Sequence, residues 1–293
     1  MITRVTTVTM MRAASENLQA ASSELLKLQN QASSQKAIGV PSDDPSATAA
    51  ALRTRAAQAA NAQYARNIQD GSEWLTTIDS TLGNVNNLLQ SATNLTVQGA
   101  NDGAMSPSAK EAIAVELESI RDALMSAANT TYLGRSVFAG NSDTGAAFDA
   151  NYAYSGGDGT VERRITDGTT IRVDADGATI FGTGANSVFA EIDRIAADLR
   201  AGVNIGPRLT ALTGWSESAS SGRATAGAQQ STLITAAASQ KSKDVALEAQ
   251  RVSLEDVDLA DIVLRLTTQE TMYQAALAVS SRALQPTLMD FLS

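Results

Sequence analysis

Asp43 and Asp44 stand side by side in Ile38-Gly-Val-Pro-Ser-Asp-Asp-Pro45, and adjacent carboxylates could serve acid–base chemistry or a hard cation. The rest of either apparatus is missing: no base and no further oxygen ligands follow at suitable spacing. Asp44 directly before Pro45 instead suits a helix N-cap with proline in the first turn. Asp256, Asp258 and Asp261 form a second acidic group, at the start of a helical pattern where the helix dipole favours negative charge. Asp174-Ala-Asp176-Gly177 has the look of a calcium-loop fragment but lacks the distal glutamate, so a turn is expected. Gly156-Gly-Asp-Gly159 and Gly182-Thr-Gly184 have no following Lys-Ser/Thr and open no strand-to-helix crossover, which removes phosphate binding.

The 293 residues contain neither histidine nor cysteine. Thiol nucleophiles, imidazole catalysis, zinc sites built on those ligands, haem ligation and disulfides are therefore excluded. Serines are many and a Ser–Lys pair stays open by composition, but no motif singles one out. The expectation is a protein that is not an enzyme, with no catalytic residue, metal or cofactor. The charge balance of 22 basic against 31 acidic residues, net −9, opposes nucleic-acid binding, which needs a basic stripe against phosphates. No apolar run approaches 18 residues, so no membrane span is expected. The first ten residues carry no apolar run of a secretory signal, and on residues alone the default address is cytosolic.

With only 12 aromatic residues, cores must be built from Ala, Leu, Ile and Val, which favours closely packed helices. Met11, Ala14, Leu18, Ala21, Leu25, Leu28 and Ala32 alternate in steps of three and four, a heptad seam. A second helix is expected from Pro45 to near Gln98, with its seam at Leu75, Ile78, Leu82, Val85, Leu89 and Ala92. Within it, Gly71 and Gly83 either permit close helix contact or mark a bend. A third opens at Ser106-Pro107, or at Ser108 if Glu111 completes a capping box, and carries Ile113, Leu117, Ile120, Leu124 and Ala128. Composition then changes: residues 134–184 hold 10 of the 20 glycines and residues 132–189 hold 7 of the aromatics. Val161–Thr166 and Thr169–Asp174 read as strands joined by Asp167-Gly168, and Asp176-Gly177 as a further turn. Helical spacing returns at Val188, Ile192, Ile195 and Leu199, capped by Ser187 and stopped by Gly202. A long Ala/Ser/Thr-rich helix runs from Pro207 to about Gln250. A last helix follows Ser253, with Leu259, Ile262, Leu266, Tyr273, Ala276, Leu277, Leu284 and Leu288 on its apolar face.

The two ends of the chain thus carry narrow seams on otherwise polar helices, and isolated helices are marginal in water. Each needs a partner. Pairing inside one monomer and burial against other subunits remain equal alternatives on pattern alone. Met11, Leu18, Leu25 and Leu28, with Ile262, Leu266, Tyr273, Leu277, Leu284 and Leu288, are the candidate subunit-interface residues.

Four segments together resemble a known family. Gln35 to Pro45, ending in Pro-Ser-Asp-Asp-Pro, is the first. Ala128-Asn-Thr-Thr-Tyr-Leu-Gly-Arg-Ser-Val-Phe-Ala-Gly140 is the second, and Tyr154-Ser-Gly-Gly-Asp-Gly159 the third. The fourth is Asp258-Leu-Ala-Asp261 followed by Gln269–Leu277 and Leu284–Leu292. In this order and spacing the chain is similar to the hook-associated protein 3 family, the hook–filament junction proteins of the bacterial flagellum, within the flagellin superfamily.

The resemblance implies a mainly α fold: an elongated helical bundle with paired N- and C-terminal coiled-coil-like helices and a small inserted antiparallel β domain. It implies a terminal helical assembly domain (1–40 and 253–293), a bundle domain (41–136 and 187–252) and a β-rich outer domain (137–186). It also implies a structural adaptor between the first hook-associated protein and flagellin, copies of itself as neighbours, and a flagellar export chaperone bound through the C-terminal region. Export would be unfolded, through the flagellar type III channel without a cleavable signal, to an extracellular place in the flagellum. A short flagellin is the runner-up, disfavoured by the Pro41–Pro45 loop. A secreted enzyme on a helical scaffold is a third reading, opposed by the missing histidine and cysteine.

Overall fold

The computed structural model describes residues 2–101 and 105–283. The chain forms two compact units, Met1–Ala60 with Lys243–Ser293, and Asn61–Ser242. Helix α1 (Ile2–Ser34) opens the first unit. Helix α2 (Pro45–Ala100) begins in it, helix α6 (Leu209–Glu255) ends in it, and helix α7 (Leu259–Ala283) completes it.

The Pro41–Pro45 loop is built by its two carboxylates. Asp43 Oδ2 accepts from the backbone N–H groups of Gly39 (3.0 Å) and Val40 (2.9 Å). Asp44 Oδ1 accepts from Ser46 N and Ala47 N, both at 2.9 Å, capping α2 as Pro45 starts it. Hydrogen bonds from Val40 and Gly39 lower the Asp43 pKa, and those from Ala47 and Ser46 lower that of Asp44. Two exposed carboxylates, each consumed by local backbone donors, have a structural role here.

The second unit owns the large core. Leu75, Ile78, Leu82, Val85, Leu89 and Ala92 of α2 are all buried, as the seam predicts. Helix α3 (Pro107–Ala128) starts at Ser106, whose hydroxyl accepts from Ala109 N, so the Ser108 alternative is not used. It buries Ile113, Leu117, Ile120, Leu124 and Ala128. It packs on α5 (Val188–Arg200), which Ser187 caps and which ends before Gly202 at φ 70°.

Between α3 and α5 lie three antiparallel two-stranded ladders: β1 (Thr131–Tyr132) with β2 (Arg135–Ser136), β3 (Glu162–Thr166) with β4 (Thr169–Arg172), and β5 (Gly182–Thr183) with β6 (Asn186–Ser187). Asp167-Gly168 turns β3 into β4, with Gly168 at φ 85°. Asp176 starts a single helical turn, α4 (Gly177–Phe181), because its carboxylate accepts from Ala178 N and Thr179 N. Asp174 accepts from Val161 N at 2.8 Å and pairs with Arg172, closing the hairpin rather than a calcium loop. Phe138, Phe148, Phe181 and Phe189 meet edge-on or stacked and join the aliphatic residues of the helices in one apolar cluster.

Gly71 permits a close approach, since a Cβ there would lie 3.0 Å from Val173 and 3.3 Å from Leu233. A Cβ on Gly227 would meet nothing. Gly71→Leu is therefore expected to destabilise by about 1–3 kcal/mol through overpacking. Gly227→Ala should stabilise by about 0.5–1 kcal/mol through helix propensity. Thermal melts of both variants check the contrast.

Candidate assembly interface

Within the first unit α1 and α7 pack against each other. The covered positions follow the expected seam. Leu28 and Ile262 are buried, while Leu18, Leu25, Leu266 and Tyr273 are half-buried. Gln269 Nε2 donates to the Ala21 carbonyl at 3.2 Å, tying the helices at mid-length. Met11 and Leu277 are exposed, and Leu284 and Leu288 lie outside the described residues. The structure thus brings six of the candidate residues into one intrachain seam.

A polar clasp closes the α1–α7 seam at the end where α1 finishes. Gln35 takes a left-handed φ of 57° and ends α1. Lys36 then forms a bridge with Asp256: Ala37 N donates to Glu255 O (2.7 Å) and Val257 N to Gln35 O (3.3 Å). The Glu255 carboxylate, only 5% exposed, receives both fork nitrogens of Arg55 at 2.6 and 2.7 Å. Arg251 (3.4 Å) and Lys36 (3.7 Å) flank it, and Lys36 Nζ also reaches Asp256 Oδ1 at 2.5 Å. The Arg55 hydrogen bonds lower the Glu255 pKa against the opposing effect of burial. The sequence carries no local sign of this cluster, because Glu255 and Arg55 are 200 residues apart.

Burial in this unit is inverted. Among the described residues, its only buried apolar side chains are Leu28, Ala51 and Ile262. Yet it holds 13 of the 18 exposed large apolar residues, including Leu26, Leu52, Val263, Leu264, Met272 and Val279. These residues lie off the seams of α1 and α7, and the doublets Leu25-Leu26 on α1 and Val263-Leu264 on α7 are their sign in the sequence.

Two family models match the chain, the bacterial flagellin N-terminal helical region over residues 5–143 and the C-terminal helical region over 209–292. The chain belongs to the bacterial flagellin family, whose members are structural proteins of the flagellum. It is 34% identical over 172 residues to flagellar hook-associated protein 3 of Salmonella typhimurium, covering 58% of this chain and 54% of that one. It is 29% identical over 177 residues to the Escherichia coli protein of the same name, covering 60% and 56%. The chain spans about half the length of these curated relatives. Its fold matches a flagellar hook-associated protein from Vibrio parahaemolyticus, with a TM-score of 0.66 at 22% identity over 73% of this chain and all of that one. FlgL of Xanthomonas campestris follows at 0.60 and 20%, over 69% of this chain and 99% of the other.

The clasp titrates with a defined sign. A carboxylate whose pKa is lowered on clasp closure, from an ordinary 4.5, favours closure fully above that value. The contribution is lost as pH falls through the lowered value. Hydrogen exchange at the Ala37 and Val257 amides should therefore accelerate below pH 4.5 beyond the intrinsic trend. Glu255→Gln should accelerate it at neutral pH and abolish the acid-dependent change.

Proposed function

We propose that this chain is a structural adaptor at the hook–filament junction of the bacterial flagellum. The observation that carries the reading is its 34% identity to a protein named flagellar hook-associated protein 3, in a chain with both flagellin helical regions. The name borne by both curated relatives favours this over a short flagellin. The exposed apolar faces of α1 and α7 supply the physical basis, since an axial polymer would cover them.

In this reading residues 1–40 and 253–293 form the assembly domain, 41–136 and 187–252 the bundle, and 137–186 the outward part. The first hook-associated protein lies on one side, flagellin on the other, and copies of the chain beside it. Met11, Leu18, Leu25, Leu28, Ile262, Leu266, Tyr273, Leu277, Leu284 and Leu288 serve subunit packing, the covered ones by holding α1 to α7. The chain crosses the flagellar export channel unfolded, escorted by a chaperone bound to its C-terminal region, and works outside the cell without catalysis.

In a strain lacking the gene, hooks should persist while flagellin leaks into the medium. Restoring the full chain should restore filaments, and a chain lacking residues 254–293 should not. Normal filaments in the deletion strain would contradict the junction role.

A further inference from the structure

Helices α2 and α6 pack as an antiparallel coil with a seven-residue repeat. On α2 the buried residues Ile68, Leu75, Leu82 and Leu89 recur every seven positions, and on α6 so do Leu212, Ala219, Ala226 and Leu233. The pairing runs in opposite directions: Asp79 meets Arg223 (2.7 Å), Ser72 meets Gln230 (2.8 Å) and Asn61 meets Gln240 (3.1 Å). Aliphatic rows at this repeat do not choose their own alignment. Sliding α6 by seven residues sets aliphatic rows against aliphatic rows again, and the small side chains of Ala219 and Ala226 offer little shape to oppose it.

One buried layer differs. The next seven-residue step is an amide on both helices, Asn61 on α2 and Gln240 on α6, 3% and 4% exposed. On α6 this amide interrupts a row that resumes with Leu247 and Leu254. Asn61 Nδ2 donates to the Gln240 carbonyl, and Gln240 Nε2 donates to the Ile165 carbonyl at 2.6 Å. The β3–β4 ladder shifts register between Arg164 and Thr166, so Ile165 has no cross-strand partner and its carbonyl meets a side chain instead. With α6 moved by seven residues, Leu233 or Leu247 would stand in place of Gln240. Neither carries a donor, and the Ile165 carbonyl would be left unpaired beside them. Asn61 Oδ1 and Gln240 Oε1 are themselves buried without a hydrogen-bond partner. A polar layer of this kind gives up stability, and in coiled coils its attested role is to fix alignment.

We infer that Asn61 and Gln240 set the register of α6 on α2, with the Ile165 carbonyl as the fixed mark to which Gln240 is matched. The layer ties together three parts of the chain that are far apart in sequence, and it admits one alignment where the aliphatic rows admit several. The Asp79–Arg223 pair is about half exposed and adds little to the choice.

The chain has no cysteine, so two positions can be spin-labelled without background. Gln90→Cys on α2 and Ser239→Cys on α6 are exposed positions at opposite ends of the paired segment. Pulsed electron resonance on the purified full chain, unfolded in denaturant and refolded, should give one distance. Replacing the layer by Asn61→Leu with Gln240→Leu should add a second distance displaced by about 10 Å, the rise of seven helical residues. Asn61→Ala with Gln240→Ala should do the same without added bulk. Circular dichroism establishes that each variant is folded, and if only one of them is, that one decides. A single, unshifted distance in the folded layer variants would overturn the proposal, as would a second distance already present with the natural layer. Loss of the folded state in both variants would assign the layer to stability instead of register and overturn it as well.

Discussion

A helix with one narrow apolar seam has to find a partner, because a single helix recovers too little from water to hold its own backbone in order. Helix α1 finds that partner in α7, a segment from the opposite end of the sequence. Among its described residues, the unit they share buries three apolar side chains and leaves thirteen large ones open. The unit Asn61–Ser242 has the reverse balance, with a continuous core running from Ile68 to Leu233. Among the described residues the two units thus differ in how fully their apolar side chains are covered.

Charge as well as packing fastens this unit, at the segments that lead out of α1 and into α7. Glu255 is buried among Arg55, Arg251 and Lys36, and a buried carboxylate is tolerated only when it is paired and hydrogen-bonded. Its fork from Arg55 ties α2 to the end of α6, while Lys36 ties the segment after α1 to Asp256 just before α7. Elsewhere Arg200 grips Glu111 and Glu118, and Arg208 grips Asp198 and Glu191, locking α3, α5 and the start of α6. These forks are partly exposed, so their role is alignment more than stability.

The helices were legible because their signals are local. Asp44-Pro45, Ser106-Pro107 and Ser187 mark starts by chemistry acting within a single turn, and the Leu75–Ala92 seam repeats with the helix period. Asp167-Gly168 marked its hairpin for the same reason. Asp176-Gly177 suits a turn in sequence and caps a helical turn in the fold, since one carboxylate serves both and tertiary packing decides. The Glu255 cluster was invisible, because its members come together only after the chain ends meet. The seam residues of α1 and α7 were identifiable, but pattern does not distinguish a seam covered by the same chain from one covered by another.

The central claim is that the α1–α7 pair is incompletely covered in the free chain and gains its protection from assembly. Hydrogen exchange compared between the dilute monomer and intact flagella tests it most directly. Amides of α1 and α7 should exchange far faster in the monomer than those of residues 75–92, and become as slow as them in the flagellum. Terminal helices already as protected as residues 75–92 in dilute monomer, and unchanged on assembly, would contradict the account.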